Sequence, residues 1–180
     1  MRSIRLLSLL VVATAASVAP ATAQDDVVLG LRAGVVDVDC FESDAGCVDA
    51  DLSPSIGGFV DYGILGPLSV GLYADVHGLT GDFDGREYML DLGGALKARL
   101  GGPGSRAYLR PGVGVGYGTV DVGSGAQLLT TRATLEVVIP EAGGLSWMIE
   151  GGAYMAPMGD ADGEDVEFGP GLILRAGVLF

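Results

Sequence analysis

Beyond residue 26 the chain keeps a two-residue rhythm, apolar then polar or glycine, for about ten residues at a time. Clusters of Gly, Pro and Asp punctuate the runs, and helical periodicity is almost absent. Eight runs result, at approximately 27–36, 54–64, 68–78, 87–100, 107–119, 127–139, 145–156 and 169–180. Their connections alternate in length. Residues 37–53, 79–86, 120–126 and 157–168 make longer loops at one end of the strands. Leu65-Gly66-Pro67, 101–105 and 140–144 make short turns at the other end, where the first strand also starts and the last one stops. An up-and-down antiparallel arrangement produces this alternation directly.

The phase of each strand can be chosen from its aliphatic residues alone. Strand one then groups Val27, Leu29, Leu31, Ala33 and Val35, and the last strand groups Leu172, Leu174, Ala176, Val178 and Phe180. The charges test that choice, because they did not enter it. Arg32, Asp61, Asp75, Asp91, Lys97, Arg99, Arg110, Arg132, Glu136, Glu150 and Arg175 all fall on the opposite parity, with His77 beside Asp75. A water-soluble barrel, such as a lipocalin, would carry a solvated outer face rich in Lys and Glu. Here the polar face is rich in glycine and nearly balanced in charge, while the apolar face runs unbroken. That pattern predicts an eight-stranded antiparallel transmembrane β-barrel, aliphatic toward lipid and ionic inside. Each run is about long enough to cross a bilayer at a tilt of ~45°. Tyr62, Trp147 and Phe180 fall on the apolar parity near one end and Tyr88 and Tyr117 near the other, the places for interfacial girdles.

The stretch "RPGVGVGYGTV" at 110–120 carries Gly112, Gly114, Gly116 and Gly118 on the interior parity. A G-x-G phosphate loop would have to open a helix, and another strand pattern follows instead. The glycines therefore read as a bare stripe on the inner wall, leaving room for long side chains such as Arg132 and Glu136 on the next strand.

Composition adds a destination. "MRSIRLLSLLVVATAASVAPATAQ" has Arg2 and Arg5, an apolar run, and Ala21-Thr22-Ala23, which predicts a signal peptide over 1–23 and a barrel domain over 24–180. Its removal leaves 8 basic against 23 acidic residues, a net charge of −15, which excludes nucleic-acid binding. Cys40 and Cys47, with six residues between them, predict one local disulfide in an exported chain.

The closing strand "GLILRAGVLF" is similar to the terminal strand of bacterial outer-membrane barrels, and residues 24–180 resemble the small eight-stranded OmpA/OmpX-type family of outer membrane β-barrel domains. The resemblance implies the bacterial outer membrane as location, recognition by the barrel-assembly machinery, outer-membrane lipid and lipopolysaccharide as surroundings, and a monomer.

Little catalytic chemistry stands out. Lipid A-modifying enzymes exist on this architecture and need a nucleophile beside His or an acid. His77 is the only histidine, Thr80 is a poor nucleophile, and no Ser motif points to it, so His77 reads as an interior hydrogen-bonding residue and the chain as no enzyme. Eight strands leave an interior that side chains fill. A narrow conduit for a small or apolar solute is the alternative function. The loops between the strands are acidic, and "DFDG" (82–85) and "DADG" (160–163) are turns that can gather carboxylates. They name Asp82, Asp84, Asp160, Asp162 and Glu164 as candidates for a weakly bound Ca2+, with plain solvation of exposed loops as the favoured reading. No other cofactor is expected. The expected role is structural or surface-interacting, with a filled polar lumen and acidic extracellular loops.

Overall fold

The computed structural model describes residues 27–37, 40–43, 46–49, 51–80, 88–101, 105–120, 125–141, 143–161 and 163–180, with 40–43, 47–49 and 164 described by backbone alone. The strands are β1 (Val27–Asp37), β2 (Cys40–Ser43), β3 (Gly46–Asp49), β4 (Ser53–Leu65), β5 (Leu68–Gly78), β6 (Tyr88–Ala98), β7 (Tyr108–Val120), β8 (Ala126–Pro140), β9 (Ser146–Ala161) and β10 (Glu164–Leu179). Strands β1, β4, β5, β6, β7, β8, β9 and β10 pair in that order, all antiparallel, and β10 closes onto β1. The eight-stranded barrel expected from the two-residue period is the fold. Closure leaves no open edge along the wall, as hydrocarbon requires.

The outward parity is mostly apolar, with Asp37, Thr119, Gln127 and Thr131 as polar positions on it. Leu31, Ile56, Leu72, Val113, Ile149 and Leu172 are between 49% and 67% exposed. In water this would be one continuous aggregating surface; against acyl chains it is the stable arrangement. At the turn end, Gly66 takes a φ of +54° and lets Leu65 and Leu68 pair across a two-residue reversal.

The two longest loops read from the sequence are mostly strand. In the first, β2 pairs with β10 in the register that β1 already holds: Asp37 faces Leu172, and Phe41 then faces Phe168. Strand β3 faces β2 in the register of the β1–β4 pair, with Cys40 opposite Asp49 as Val36 is opposite Ser53. Strands β2 and β3 therefore carry the barrel wall upward. In the second, the expected loop 157–168 shrinks to a reversal at Gly163, whose φ is +87°. Strands β9 and β10 reach 16 residues each, against ~9–11 for a crossing, so their upper thirds stand clear of a bilayer. Alternation marks a strand only where its two faces meet different media. Above the bilayer both faces meet water, and the pattern disappears while the hydrogen bonds continue. Pro157 and Gly169-Pro170 are accommodated where the β9–β10 register shifts, between Asp165 and Gly171.

Residues 1–23, expected to be a signal peptide, and Asp82, Asp84 and Asp162 lie outside the described residues, as do the side chains of Cys40, Cys47 and Glu164. Asp160 is described, and its carboxylate accepts the Gly163 N–H at 3.3 Å.

Candidate functional site

The interior of the barrel is where the polar residues converge. Arg32, Asp61, Asp75, His77, Asp91, Lys97, Arg110, Arg132, Glu136, Glu150 and Arg175 all point inward and are buried. Among the described residues five cations meet five carboxylates, so their formal charges cancel. Arg99 shares the inward parity but departs from the sequence reading. It sits one residue past the end of β6, is exposed, and stacks on the Tyr108 ring at 4.2 Å. Parity alone does not bury a residue that stands at the rim.

The ions sort into two groups. Nearer the turns, Lys97 lies 3.0 Å from Asp61 and 2.8 Å from Glu136, while Arg110 pairs with Asp61 and lies 3.4 Å from Glu136. Higher up, Asp75 is the hub. Arg32 donates to it through Nε at 3.1 Å and Nη2 at 2.8 Å, Arg132 through Nη1 at 2.6 Å, and Arg175 Nη1 lies 3.0 Å away. Glu150 takes Arg32 at 3.1 Å and Arg175 at 2.9 Å. Asp91 pairs with Arg132 and accepts the hydroxyls of Thr130 at 2.7 Å and Tyr154 at 3.1 Å.

Register explains why both groups need this many partners. Glu136 faces Glu150 across β8 and β9, and Asp75 faces Asp91 across β5 and β6. Like charges directly opposite repel. Cations from other strands offset that repulsion: Arg132 reaches both aspartates, and the two glutamates divide Lys97 and Arg110 from Arg32 and Arg175. Aromatic rings fill the space between the groups. Lys97 stands 3.7 Å from the Phe59 centroid and Arg32 5.1 Å from it, while Arg132 lies 3.6 Å from that of Tyr73. Sequence reading passed over these inward aromatics, Phe59, Tyr73 and Tyr154. Their parity could have found them, since each shares it with the charges of its own strand.

Glycine makes the room. Arg32 has Gly57 and Gly177 opposite it, Asp61 has Gly71, Lys97 has Gly112, Arg132 has Gly114, and Arg175 has Gly34. A Cβ at Gly112 or Gly114 would sit 3.0 Å from the Lys97 or Arg132 Cγ. The stripe on β7 thus accommodates Arg132 as expected, and Lys97 and Asp91 on its other side. Glu136 instead faces Arg110.

Apolar side chains close the lumen at both ends, where the alternation had suggested polar ones. Val36, Leu79, Met89, Leu128, Phe168 and Ile173 form an upper lid, and Val138, Met148 and Leu179 a lower one. The cavity between the ion groups measures about 10 Å³, room for roughly one water. His77 lies under the lid against the Tyr154 ring, 5.4 Å between centroids. Neither of its ring nitrogens has a hydrogen-bond partner, which corrects the interior hydrogen-bonding role read from the sequence.

Outside, Tyr62, Trp147 and Phe180 are exposed at the turn end and Tyr88 and Tyr117 toward the lid end. Trp147 is the only tryptophan. In bilayers its emission is expected to be blue-shifted, and bromine near the headgroups should quench it more than bromine at the acyl ends. Stronger quenching from the bilayer centre would contradict a girdle position.

No family model and no curated protein matches the sequence. Among solved structures, Neisserial surface protein A (NspA) is similar with a TM-score of 0.59 and 15% identity, over 85% of this chain and 95% of that one. The outer membrane protease OmpT from Escherichia coli is similar with a TM-score of 0.51 and 10% identity, over 91% of this chain and 99% of that one. At these identities the likeness is one of fold: the chain has the architecture of an outer-membrane barrel.

Proposed function

We propose that this chain is an integral protein of the bacterial outer membrane with a structural or surface-interacting role, carried by a sealed barrel that conducts nothing. One observation supports this most directly: the lumen is filled by a neutral ion network with apolar side chains above and below it. A conduit needs a continuous polar path, and the apolar residues above and below the ion network interrupt it. The part available to partners is then the upper rim, where β9 and β10 rise with Asp160, Asp165 and Glu167 exposed. Divalent cations bridging such carboxylates to lipopolysaccharide phosphates are one mode of contact; adhesion to another surface is the other. Both similar structures belong to surface or outer-membrane proteins, one of them a protease. Proteolysis has no support from the lumen described here, where every carboxylate is engaged by a cation.

Fractionation and conductance test the reading together. The chain should be recovered in the outer-membrane fraction and shift its gel migration on heating. Reconstituted in planar bilayers, it should add no conductance above background. Discrete current steps from the folded form would replace the sealed barrel with a conduit, and recovery as a soluble periplasmic protein would overturn the membrane placement.

A further inference from the structure

We propose that Asp75, His77 and Asp91 form a buried site for one borderline transition-metal dication of the zinc or copper class. The site goes beyond the surface role and does not depend on it. His77 on β5 faces Met89 on β6, and two residues lower Asp75 faces Asp91 on the same two strands. Strand alternation turns all four side chains inward. Donor atoms of Asp75, His77 and Asp91 lie within 4.8 Å of one another, and all three residues are fully buried.

His77 carries the argument. A buried imidazole with neither nitrogen hydrogen-bonded loses its hydration and regains nothing. Its register partner on β4, Ser55, also leaves its Oγ without a hydrogen bond and gives no relief. The surrounding lid is apolar, and a residue needed there only for packing would be apolar too, like Leu79 and Met89. A neutral imidazole nitrogen beside two carboxylates is instead a metal-ligand set.

Charge sets a condition on binding. Asp75 already pairs with Arg32, Arg132 and Arg175, and Asp91 shares Arg132 with it, so Arg132 is the cation seated between the two aspartates. A metal ion would displace that guanidinium from between them. The donors are one nitrogen and two carboxylates, with the Met89 thioether alongside, and this suits a borderline ion. Ca2+ and Mg2+ need six or more oxygens or a retained water shell, which the closed lid excludes.

The test uses the full chain, metal-depleted and refolded in detergent with Zn2+ or Cu2+ present. After gel filtration, one ion per chain should remain by elemental analysis. His77→Phe should lose it while keeping its heat-dependent gel shift. A variant-free measurement guards against misfolding. His77 is the only histidine in the chain. The electron-spin-echo modulation of bound Cu2+ should therefore show the remote nitrogen of one imidazole. The site is overturned if no ion is retained, if folded His77→Phe retains it equally, or if bound copper shows no imidazole nitrogen, as binding to the acidic rim would give.

Discussion

Asp75→Ala is expected to abolish assembly of the barrel. The Asp75 carboxylate is fully buried and engages three guanidiniums, those of Arg32, Arg132 and Arg175. Glu150 and Asp91 would be left as the only anions for those three charges in the upper group. Breaking a buried ion pair by removing one partner costs about 3–5 kcal/mol, because the other charge stays behind unpaired. Here one deletion strands parts of three pairs, so the loss should be at least that large. Folded proteins commonly hold ~5–15 kcal/mol in all, which places the variant near or beyond its limit. Arg99→Ala is the matched control. Arg99 is exposed and stacks on Tyr108, and its loss should change stability by about 0.5 kcal/mol or less, as surface substitutions do. Urea titration in lipid vesicles, followed by Trp147 emission and gel shift, measures both. Equal stability of the two variants would mean that the hub at Asp75 does not hold the lumen together.

The contrast between Asp75 and Arg99 also shows how far the sequence could be read. Phase came from the aliphatic residues, and the charges then fell on the other face without exception. Two media, lipid and lumen, wrote that pattern, so strand count, order and inward residues were legible wherever both were present. Arg99 kept the parity but lay past the strand end, where inward no longer means buried. At the lid the inner medium changes from ions to hydrocarbon, and Val36, Leu79 and Phe168 no longer contrast with the outer face. Above the bilayer both faces meet water, so β2, β3 and the upper parts of β9 and β10 read as loop. Which cation meets which carboxylate was not legible at all. Partners such as Arg32 and Glu150 lie 118 positions apart, and only closure of the barrel brings them together. The unbonded state of His77 depends on the same closure.

Gly116→Leu is likewise expected to prevent folding, for a reason of volume instead of charge. Gly116 lies on β7 opposite Gly93 and Thr130, facing the lumen. A Cβ built there would collide with the Tyr73 hydroxyl, and would sit 2.6 Å from Asp91 Oδ1 and 2.7 Å from Thr130 Oγ1. These are not free ends that can swing away. Thr130 donates to Asp91, and Arg132 binds Asp91 and stacks on Tyr73, so moving one neighbour disturbs the rest. Overpacking a core costs about 1–3 kcal/mol even where the neighbours can relax. A leucine adds three further carbons to a collision that the Cβ alone already makes, and Gly116→Ala should itself be destabilising. Gly151 provides the control on the same wall. It faces outward, and the nearest atom to its Cβ position is the Ile173 carbonyl oxygen at 3.9 Å. Gly151→Leu should fold normally, since the new side chain enters lipid. Both variants are refolded side by side and scored by heat-dependent migration. If they assemble equally well, the inner glycines are not there to make space for the ion network, and the bare stripe on β7 needs another explanation.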